Sequence, residues 1–554
     1  MSARGHSPLV ETLLVNRGII DPIEQEHFLY PDYERDTHDP FLILNMEKAV
    51  ERILLAIKKN ESIIIFGDYD CDGIPGSVVL HDLFQKIGYK KFLNYIPHRH
   101  AEGYGLNNGA IEKFAKDGVT LLVTVDCGIT DVEEVALAQS LGIDVIVTDH
   151  HLPQAILPPA FAVINSKQEG DTYPDNMLCG AGVAFKLAQA IIMRGKFETI
   201  GEGWEKWLLD MAGLSTIADM VPLRNENRVL AYYGLKVLRK SPRPGLLALL
   251  RDAGVDQRYL GEEDVGFTIA PRINAASRMD VPFRAFELLS TTDVVFAKER
   301  AKHLAGLNGE RKLEVARMVK DSKRLLRERE LREVIVIGNP AWRVGVVGIV
   351  ANQIAEEFNR PAFVWGREGS AMIKGSCRSD GTINLVDLMV AVRPGVFIDK
   401  GGHEFSGGFS VAHDAIHILE DELVLAWQTI PKKEKVPQDH TIDADLPLGV
   451  VNEKTYAEIQ LLAPFGQSNP RPVFRFVDVE LLNIEQFGKE RNHLKLLLGD
   501  EKGSRVGAIG FFKTPKDFPK VDMTVGNKVS LIASFDKSYF RGRPELRLRI
   551  VDMQ

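Results

Sequence analysis

The sequence has few cysteines and no long apolar run. Its four cysteines, Cys71, Cys127, Cys179 and Cys377, form no Cys-x-x-Cys pair, which argues against a disulfide framework and a structural zinc site. No apolar run reaches the roughly 18 residues that a membrane-spanning helix needs, and the opening MSARGHSPLVE lacks the apolar core of a signal peptide. We therefore expect a cytoplasmic protein that does not span a membrane.

The composition is that of a folded globular protein, with 45% hydrophobic and 26% charged residues, and it excludes a disordered, collagen-like or fibrous chain. At roughly 100 to 200 residues per domain, the length predicts three or more domains. The net charge of −8 is uneven, because residues 465–554 carry 16 Lys plus Arg against 11 Asp plus Glu. Such a basic segment with interleaved aromatics suits a polyanion.

The apolar pattern predicts five segments of different character. Continuous β-branched runs at 62–66, 92–96, 120–125 and 144–148 alternate with helical stretches, which is typical of a doubly wound α/β domain with a parallel sheet. The predicted boundaries are a helical lead-in (1–60), this α/β domain (61–225), a helical region with a connecting helix (226–333), a second α/β domain (334–430) and a small β-barrel (440–554). The charged, proline-free stretch 294–333 is interpreted as a solvated helix joining two lobes, in preference to a nucleic-acid contact.

Acidic and imidazole side chains follow several predicted strands. Asp68, Asp70 and Asp72 alternate in FGDYDCDG after the first strand, so an extended strand end would point them to one side. A solvated turn is the alternative for this segment alone. The next strand ends at Asp126, and the one after it ends at Asp149, His150 and His151.

The carboxyl ends of parallel strands open into one crevice, so we expect these groups to converge there. Asp219, in STIADMVPL, could complete the shell, although it could also be a helix cap and the histidines ordinary loop residues. Carboxylate and imidazole ligands without cysteine favour two Mn²⁺ or Mg²⁺ ions, and such a pair suits hydrolysis at phosphorus.

The motifs DYDCDG, VDCG, TDHH and IADMVP, in this order, resemble those of the DHH phosphoesterase superfamily, and GGHEFSGG resembles the motif of its associated DHHA1 domain. The segments IPHRHAEGYGLN, APRINAASRM, GSCRSDG and LAPFGQSNPRPVF resemble, more selectively, the single-strand-specific exonucleases of that superfamily. The resemblance implies a metal-dependent exonuclease that degrades single-stranded DNA from its 5′ end to 5′-mononucleotides in repair and recombination. It also implies a C-terminal domain with an OB-like fold.

The resemblance implies a role for each matching residue. The metal ligands would be Asp68, Asp70, Asp72, Asp126, His150 and Asp219. His151 would contact the scissile phosphate and, with Asp126, carry the catalysis, while Asp149 would orient an imidazole. The nucleotide-binding residues would be Arg272, Asn274 and Arg278 in a phosphate-binding loop, and Ser376, Arg378, Gly401, Gly402 and His403 in the second lobe. Three positions depart from the family pattern, Phe66, Cys71 and Arg343, and they leave metal preference and rate open.

The C-terminal barrel is expected to bind single strands through cations and exposed aromatics. Arg541 and Arg543, in SYFRGRPE at 538–545, are the predicted contacts, whereas Phe474 and Phe476 are expected in the barrel core. A helicase and a single-strand-binding protein are possible partners by resemblance. Two other functions stay open here: a DHH phosphodiesterase for short oligonucleotides or cyclic dinucleotides, and a non-catalytic single-strand-binding scaffold.

Overall fold

The structure is a computed structural model that describes residues 6–368, 372–434, 441–539 and 544–554. Within these ranges no helix has the length and apolar character needed to cross a lipid bilayer. The four cysteines are all buried and free.

The first domain is built on a parallel sheet with the strand order β2-β1-β3-β4-β5. Its strands are β1 (Ser62–Gly67), β2 (Phe92–Tyr95), β3 (Val119–Val125), β4 (Asp144–Thr148) and β5 (Ala162–Ile164). The helices up to the end of this domain are α1 (Pro8–Asn16), α2 (Pro22–Leu29), α3 (Tyr33–Asp36), α4 (Met46–Lys59), α5 (Gly73–Lys86), α6 (Asn108–Lys116), α7 (Val132–Ser140), α8 (Gly180–Gly195) and α9 (Leu209–Ala218).

Both faces of this sheet are covered, as the uninterrupted apolar strands predict. Ile63 and Ile65 of β1 point into one core, with α4, α5 and α8. Ile64 and Phe66 point into a second core, with α6 and α7. The strand order changes direction between β1 and β3, so the carboxyl ends of these two strands form the crevice in which such sheets bind ligands.

A helical region follows and ends in one long helix. Its elements are α10 (Asn225–Leu238), α11 (Pro244–Ala253), α12 (Glu262–Asp264), a π-helix (Val265–Ile269), α13 (Ala270–Met279), α14 (Phe283–Ser290) and α15 (Val294–Arg327). Asp293 caps α15, because its carboxylate accepts hydrogen bonds from the backbone N–H groups of Val295 and Phe296. Helix α15 packs on α11 and α13 and reaches the second domain at α16 (Val347–Phe358).

The second domain has a mixed sheet with the order β6-β7-β8-β10-β9. Only β6 and β7 pair in parallel; the other neighbours are antiparallel. The elements after α16 are α17 (Leu385–Ala391) and α18 (Leu419–Thr429), and the strands are β6 (Ile335–Gly338), β7 (Ala362–Gly366), β8 (Ile373–Arg378), β9 (Phe397–His403) and β10 (Ser406–Val411).

The C-terminal strands form a closed barrel, because β12 pairs with both β13 and β15. The elements are β11 (Ala444–Asp445), α19 (Glu453–Gln460), β12 (Phe474–Phe487), β13 (His493–Gly499), β14 (Arg505–Gly510), β15 (Lys528–Ser538) and β16 (Glu545–Met553). Phe474 and Phe476 are fully buried in the barrel core, as predicted. The predicted fold class, a doubly wound α/β domain, a connecting helix, a second α/β domain and a barrel, is confirmed.

The barrel is joined to the start of the chain and to the helical region. Residues of α1 and α2, among them Leu13 and Phe28, belong to the apolar core of the barrel and not to that of the first sheet. The buried Arg228 of α10 donates hydrogen bonds to the backbone oxygens of Phe28 (2.6 Å) and Ala463 (2.9 Å). The chain from its first helices to the barrel therefore packs as a connected unit.

Candidate metal centre and phosphate-binding cleft

The acidic residues lie at the carboxyl edge of the first sheet, where backbone hydrogen bonds hold them in place. The N–H groups of Asp68, Asp126 and Asp149 donate to the carbonyls of Val125, Thr148 and Ile164 on the neighbouring strands, at 3.0 to 3.1 Å. Asp126 has φ of 63°, in the left-handed region that residues other than glycine rarely adopt. Such backbone strain is common at functional sites.

Asp68, Asp70 and Asp72 do not lie on an extended strand, and the expectation of strict alternation is wrong. The strand ends at Gly67, and Asp70 lies in a turn in which its Oδ1 accepts hydrogen bonds from the N–H groups of Asp72 (2.7 Å) and Gly73 (3.2 Å). The turn alternative is therefore correct for the backbone, but the turn is not solvated, since Asp68 and Asp72 are buried.

The structure brings the seven residues proposed around the metals into three overlapping groups, in each of which the candidate ligand atoms lie within 4.8 Å of one another. The groups are Asp68, Asp70 and Asp126; Asp72, His150 and Asp219; and Asp126, His150 and His151. Nε2 of His150 lies 3.1 Å from Oδ1 of Asp126, 3.6 Å from Oδ2 of Asp72 and 3.8 Å from Oδ2 of Asp219.

This cluster is electrostatically unfavourable by itself. Burial, followed by the charges of Asp72 and Asp70, raises the pKa of Asp126 well above its usual range and that of Asp219 to about 9. Burial and the neighbouring Asp70 also raise the pKa of Asp68, and burial lowers the pKa of His150. Like charges held together out of water favour the protonated carboxyls unless a cation compensates them.

Two of the carboxylates have a buried oxygen that accepts no hydrogen bond from the described residues. These are Oδ1 of Asp68 and Oδ1 of Asp126; the latter has the imidazole Nε2 of His150 nearby, at 3.1 Å, although buried polar atoms are nearly always satisfied. Hard divalent cations prefer carboxylate oxygens and also accept an imidazole nitrogen. The donor set and these two oxygens therefore fit a pair of Mn²⁺ or Mg²⁺ ions.

Helix α8 fixes one of the candidate ligands. The backbone N–H groups of Gly180 (2.6 Å) and Ala181 (2.8 Å) donate to the carboxylate of Asp72, as the N-terminus of a helix favours a negative charge. A Cβ atom at Gly180 would lie 2.5 Å from that of Asp126. Glycine is therefore required at this position, and the GAG start of the helix is a signal that the sequence analysis missed.

The two histidines of TDHH have different surroundings. Nδ1 of His151 lies 2.8 Å from Oδ1 of Asp149 and 3.2 Å from the hydroxyl of Tyr104. Burial raises the pKa of Asp149, but the hydrogen bond and charge of His151 outweigh it, so this pKa is lowered overall. Burial opposes a charge on His151, yet its hydrogen bond to Asp149 raises the imidazole pKa. Asp149 therefore orients His151, and His150 faces the carboxylates.

The second domain places its predicted nucleotide-binding residues on two strands, β8 and β9, which lie on either side of β10. Arg378 and Ser376 of β8 pair with Ser406 and Gly408 of β10, and β10 pairs in turn with Gly401, Gly402 and His403 of β9. A Cβ atom at Gly402 would meet the backbone of Ser406 at 2.4 Å. Gly401, Gly402 and His403 are exposed, so the hairpin is open to a ligand.

The segment with Arg272, Asn274 and Arg278 was expected to be a loop. In the structure it is helix α13. Arg272 donates to the backbone oxygen of Thr268 (2.8 Å), and Oδ1 of Asn274 is buried and accepts no hydrogen bond from the residues that the structure describes. Nη1 of Arg278 donates to the backbone oxygen of Gly345 (3.1 Å) in the second domain. Arg278 thus joins the two lobes beside the cleft.

The charges of several guanidinium groups act on Arg278. Burial, followed by the charges of Arg99, Arg311 and Arg378, lowers its pKa to about 9. Asp70 of the acidic cluster acts in the opposite direction. The cleft therefore has an acidic end at the sheet edge and a basic end between the lobes, as a phosphodiester substrate near metal ions requires.

Three residues near the centre were not singled out from the sequence. Arg99 lies over the ring of Tyr69 (4.8 Å), and Tyr104 also donates to the backbone oxygen of Asp126 (3.1 Å). Both belong to IPHRHAEGYGLN, which carried the resemblance but no assigned residue. Lys167 donates to the backbone oxygen of His150, and nothing in its sequence context signals this.

Two of the three departures from the family pattern, Phe66 and Cys71, lie in the segment of the candidate ligands, and Arg343 lies in the second domain. Phe66 is buried and stacks on Tyr95, with ring centroids 5.3 Å apart. Cys71 is buried, and its backbone oxygen accepts a hydrogen bond from the hydroxyl of Ser215 (3.0 Å). Arg343 pairs with Glu368 (3.3 Å). None of the three replaces a member of the three candidate groups.

The barrel carries exposed aromatics on one side. Four residues form what we call the aromatic face: Phe487, His493, Phe511 and Phe512. The ring of His493 lies 4.8 Å from that of Phe512 and 5.7 Å from that of Phe511. Phe512 is 78% exposed. The guanidinium groups of Arg547 and Arg549 both lie 5.8 Å from the Phe511 ring. Arg541 and Arg543, the predicted contacts, lie outside the described residues.

Three family models match the chain: "DHH family, N-terminal domain" over residues 62–216, "DHHA1 domain" over 332–424 and "RecJ OB domain" over 442–552. The single-stranded-DNA-specific exonuclease RecJ of Bacillus subtilis (strain 168) is 36% identical over 552 residues, which cover 99% of this chain and 68% of that protein. The exonuclease of the same name from Haemophilus influenzae is 31% identical over 98% of this chain and 95% of its own length.

Solved structures of RecJ from Thermus thermophilus are also similar. Its complex with Mn²⁺ matches with a TM-score of 0.80 and 26% identity, over 99% of this chain and 76% of that one. Its complex with Mg²⁺ matches with a TM-score of 0.74 and 25% identity, over 99% of this chain and 75% of that one. The resemblance stated from the motifs is confirmed, and these comparisons favour neither a small-substrate phosphodiesterase nor a non-catalytic scaffold. The chain belongs to the RecJ family of single-stranded-DNA-specific exonucleases.

Proposed function

We propose that this protein is a metal-dependent exonuclease that hydrolyses single-stranded DNA. The observation that carries the proposal is the buried cluster of carboxylates and imidazoles, in which one oxygen each of Asp68 and Asp126 accepts no hydrogen bond from the described residues. Beside it, Arg278 hydrogen-bonds across the two lobes, and the charges of Arg99 and Arg378 act on it. Acids alone would suit many cations. The acids together with arginines suit a substrate that brings its own negative charge to the metals.

Five residues are proposed to hold the metal pair, with Asp68 as a nearby or additional ligand: Asp70, Asp72, Asp126, His150 and Asp219. Divalent ions held by these residues would supply activation of the attacking water and neutralisation of charge on the phosphate. The protein contributes the geometry, because the strand ends fix Asp126 and helix α8 fixes Asp72. The chemistry is the hydrolysis of a phosphodiester bond by water.

His151 is proposed to stabilise the phosphate as its charge develops. Asp149 accepts a hydrogen bond from Nδ1, which leaves Nε2 for the substrate and favours the protonated ring. A cationic imidazole binds more strongly as the phosphate gains charge in the transition state. His151 would therefore lower the barrier more than it strengthens ground-state binding.

The path of the strand is proposed to continue from the cleft toward the barrel. Arg378, Ser376 and His403 would bind the nucleotide at the cleaved end, and Arg272, Asn274 and Arg278 would contact the backbone near it. The aromatic face of the barrel would stack bases further along, which suits substrates of any sequence. Arg541 and Arg543 are proposed to contribute cations there.

Several further points of the proposal rest on the family alone. These are 5′→3′ polarity, release of 5′-mononucleotides, a place in DNA repair and recombination, delivery of substrate by a helicase or a single-strand-binding protein, and a cytoplasmic location.

One assay tests the proposal. Single strands labelled at the 5′ or the 3′ end are digested with Mn²⁺, with Mg²⁺ and after chelation. We expect mononucleotides from the 5′ end, only with metal, and no digestion of duplex DNA. Digestion of a cyclic dinucleotide in preference to a single strand would contradict the proposal.

A further inference from the structure

Arg311, near the middle of the connecting helix α15, has no carboxylate partner in the part of the chain that the structure describes. Four other basic residues of this helix form ion pairs with carboxylates: Arg300–Glu287, Arg317–Glu314, Lys323–Glu357 and Arg324–Glu328. Arg311 is half-buried, and burial alone lowers its pKa, with no acid to raise it. An arginine in this situation keeps a charge that the protein itself does not balance.

The guanidinium of Arg311 is held in a fixed orientation by a neutral group. Its Nε and Nη2 both donate to Oδ1 of Asn308, at 3.2 and 3.0 Å. Asn308 lies one turn earlier on the helix and is only 4% exposed. No partner of Nη1 lies in the described residues. Asn308 thus orients the arginine without neutralising it, since an amide oxygen carries no net charge.

The position of Arg311 on the helix is beside the cleft. Helix α15 packs on α13, which carries Arg278, and on the turn Val344–Val346, to which Arg278 is hydrogen-bonded. Arg99 comes from the first domain, Arg378 from β8 of the second domain, and both act on Arg278 together with Arg311. Among the described residues, none of these four arginines forms an ion pair with a carboxylate.

The charges of Arg99, Arg311 and Arg378 each act unfavourably on Arg278, and Asp70 offsets them only in part. A polyanion that enters the cleft removes the repulsion and supplies planar acceptors for the guanidinium fork. A single phosphate could engage one or two of these groups. Four groups spread over two lobes suit consecutive phosphates of a strand.

We propose that Arg311, oriented by Asn308, binds a backbone phosphate of the single strand in the cleft, so that the connecting helix forms part of the DNA path. The inference rests on the proposed function and adds a substrate contact to it. From its sequence alone, this helix is interpreted as a solvated connector without a nucleic-acid contact. The present proposal replaces that interpretation for the one turn from Asn308 to Arg311. The remainder of the helix joins the lobes as expected, but one of its faces is buried against α11, α13 and α16, and some of its ion pairs reach α14 and α16.

The test compares Arg311→Ala, Arg311→Lys and Asn308→Asp with the control Arg317→Ala, which removes an exposed arginine of the same helix. Binding and steady-state cleavage of a 5′-phosphorylated oligothymidylate are measured over a range of salt concentrations. For Arg311→Ala we expect KM to rise about 10- to 100-fold, as the loss of a hydrogen bond between charged groups predicts, with a smaller effect on kcat. The salt slope of binding should become shallower by about 0.7.

Asn308→Asp is the decisive variant, because it keeps the guanidinium in place and adds a carboxylate that neutralises it. We expect it to weaken binding in the same direction as Arg311→Ala, whereas Arg311→Lys retains part of the salt dependence and Arg317→Ala behaves as the wild type. The Mn²⁺ concentration for half-maximal activity should not change in any of them. Unfolding temperatures verify that each variant is folded.

The outcomes separate the two proposals. If the wild type degrades single strands and both Arg311→Ala and Asn308→Asp keep its KM and salt slope, the inference about Arg311 is wrong and the proposed function stands. If Arg311→Ala alone weakens binding while the folded Asn308→Asp does not, the arginine acts through packing and the inference is again wrong. If the wild type neither binds nor degrades single strands, the proposed function itself fails.

Discussion

Nδ1 of His151 lies 2.8 Å from Oδ1 of Asp149, a carboxylate that is buried at the end of strand β4 and also accepts hydrogen bonds from the N–H groups of His150 and His151. The adjacent His150 instead points its Nε2 at three carboxylates. One acidic residue thus separates the functions of two neighbouring imidazoles, because it accepts the hydrogen bond of Nδ1 of His151 and turns the other nitrogen of that ring away from itself.

We expect His151→Ala to reduce kcat by about 100-fold with little change in metal affinity, because its proposed contact is to the phosphate. His150→Ala should weaken metal binding instead, since the imidazole lies among the acids. Mn²⁺ titrations of the two variants, by calorimetry and by activity, distinguish these effects. An equal loss of metal affinity in both variants would show that the histidines share one role.

Replacing Asp126 should abolish hydrolysis and leave the fold intact. Asp126→Asn keeps the shape of the side chain and removes a charge from a crowded, buried cluster. We expect activity to fall at least about 100-fold, while the free energy of unfolding of the metal-free protein rises by about 1 kcal/mol or more. Denaturant titration with chelator present provides the second measurement, and a destabilised Asp126→Asn protein would contradict the charge argument.

The metal-free protein should lose stability as the pH rises. The pKa of Asp219, about 9 in the folded protein, is above the value of about 4 for an unfolded aspartate. The folded state therefore binds this proton more tightly, and stability falls as the pH rises from about 4 to about 9. Thermal unfolding with chelator should show this decline, Asp219→Asn should flatten it, and Mn²⁺ should reverse it. A stability that rises across this range would argue against a charge cluster.

The aromatic face of the barrel should matter for long strands and not for short ones. Phe512→Ala is expected to weaken the binding of a long single strand by about tenfold, as the loss of one stacked base predicts, and to leave the cleavage of a dinucleotide unchanged. Val525→Ala, at another exposed site of the barrel, is the control. Equal affinity of Phe512→Ala and wild type for long strands would exclude this face from the DNA path.

Deletion of residues 440–554 is not a clean test of the barrel, because residues from the start of the chain pack in its core. Leu13, Leu14 and Phe28 of the first two helices pack in the barrel core. Arg228 hydrogen-bonds to backbone oxygens of the segment before β12. A truncated protein would expose these groups, so loss of activity could reflect unfolding.

Local pattern and motif spacing were sufficient to predict the fold class and the convergence of the acids. Buried strands with an acid at each carboxyl end must meet at one edge of a parallel sheet, and Asp68, Asp126 and Asp149 do so. The barrel core at Phe474 and Phe476 followed from their alternation in a strand. In each case the information lies within a few residues of sequence.

The sequence by itself determined the domain types, the candidate ligands and the family. The tertiary structure alone decided which groups act together. Asp149 orients His151, and the backbone of α8 holds Asp72. Arg278 lies on a helix and bridges the lobes, and the first helices complete the core of the barrel. These relationships join residues from separate segments, and in the cleft, from separate domains. Periodicity and spacing report only on neighbours along the chain, whereas hydrogen bonds and charge interactions depend on distances that the packed chain creates.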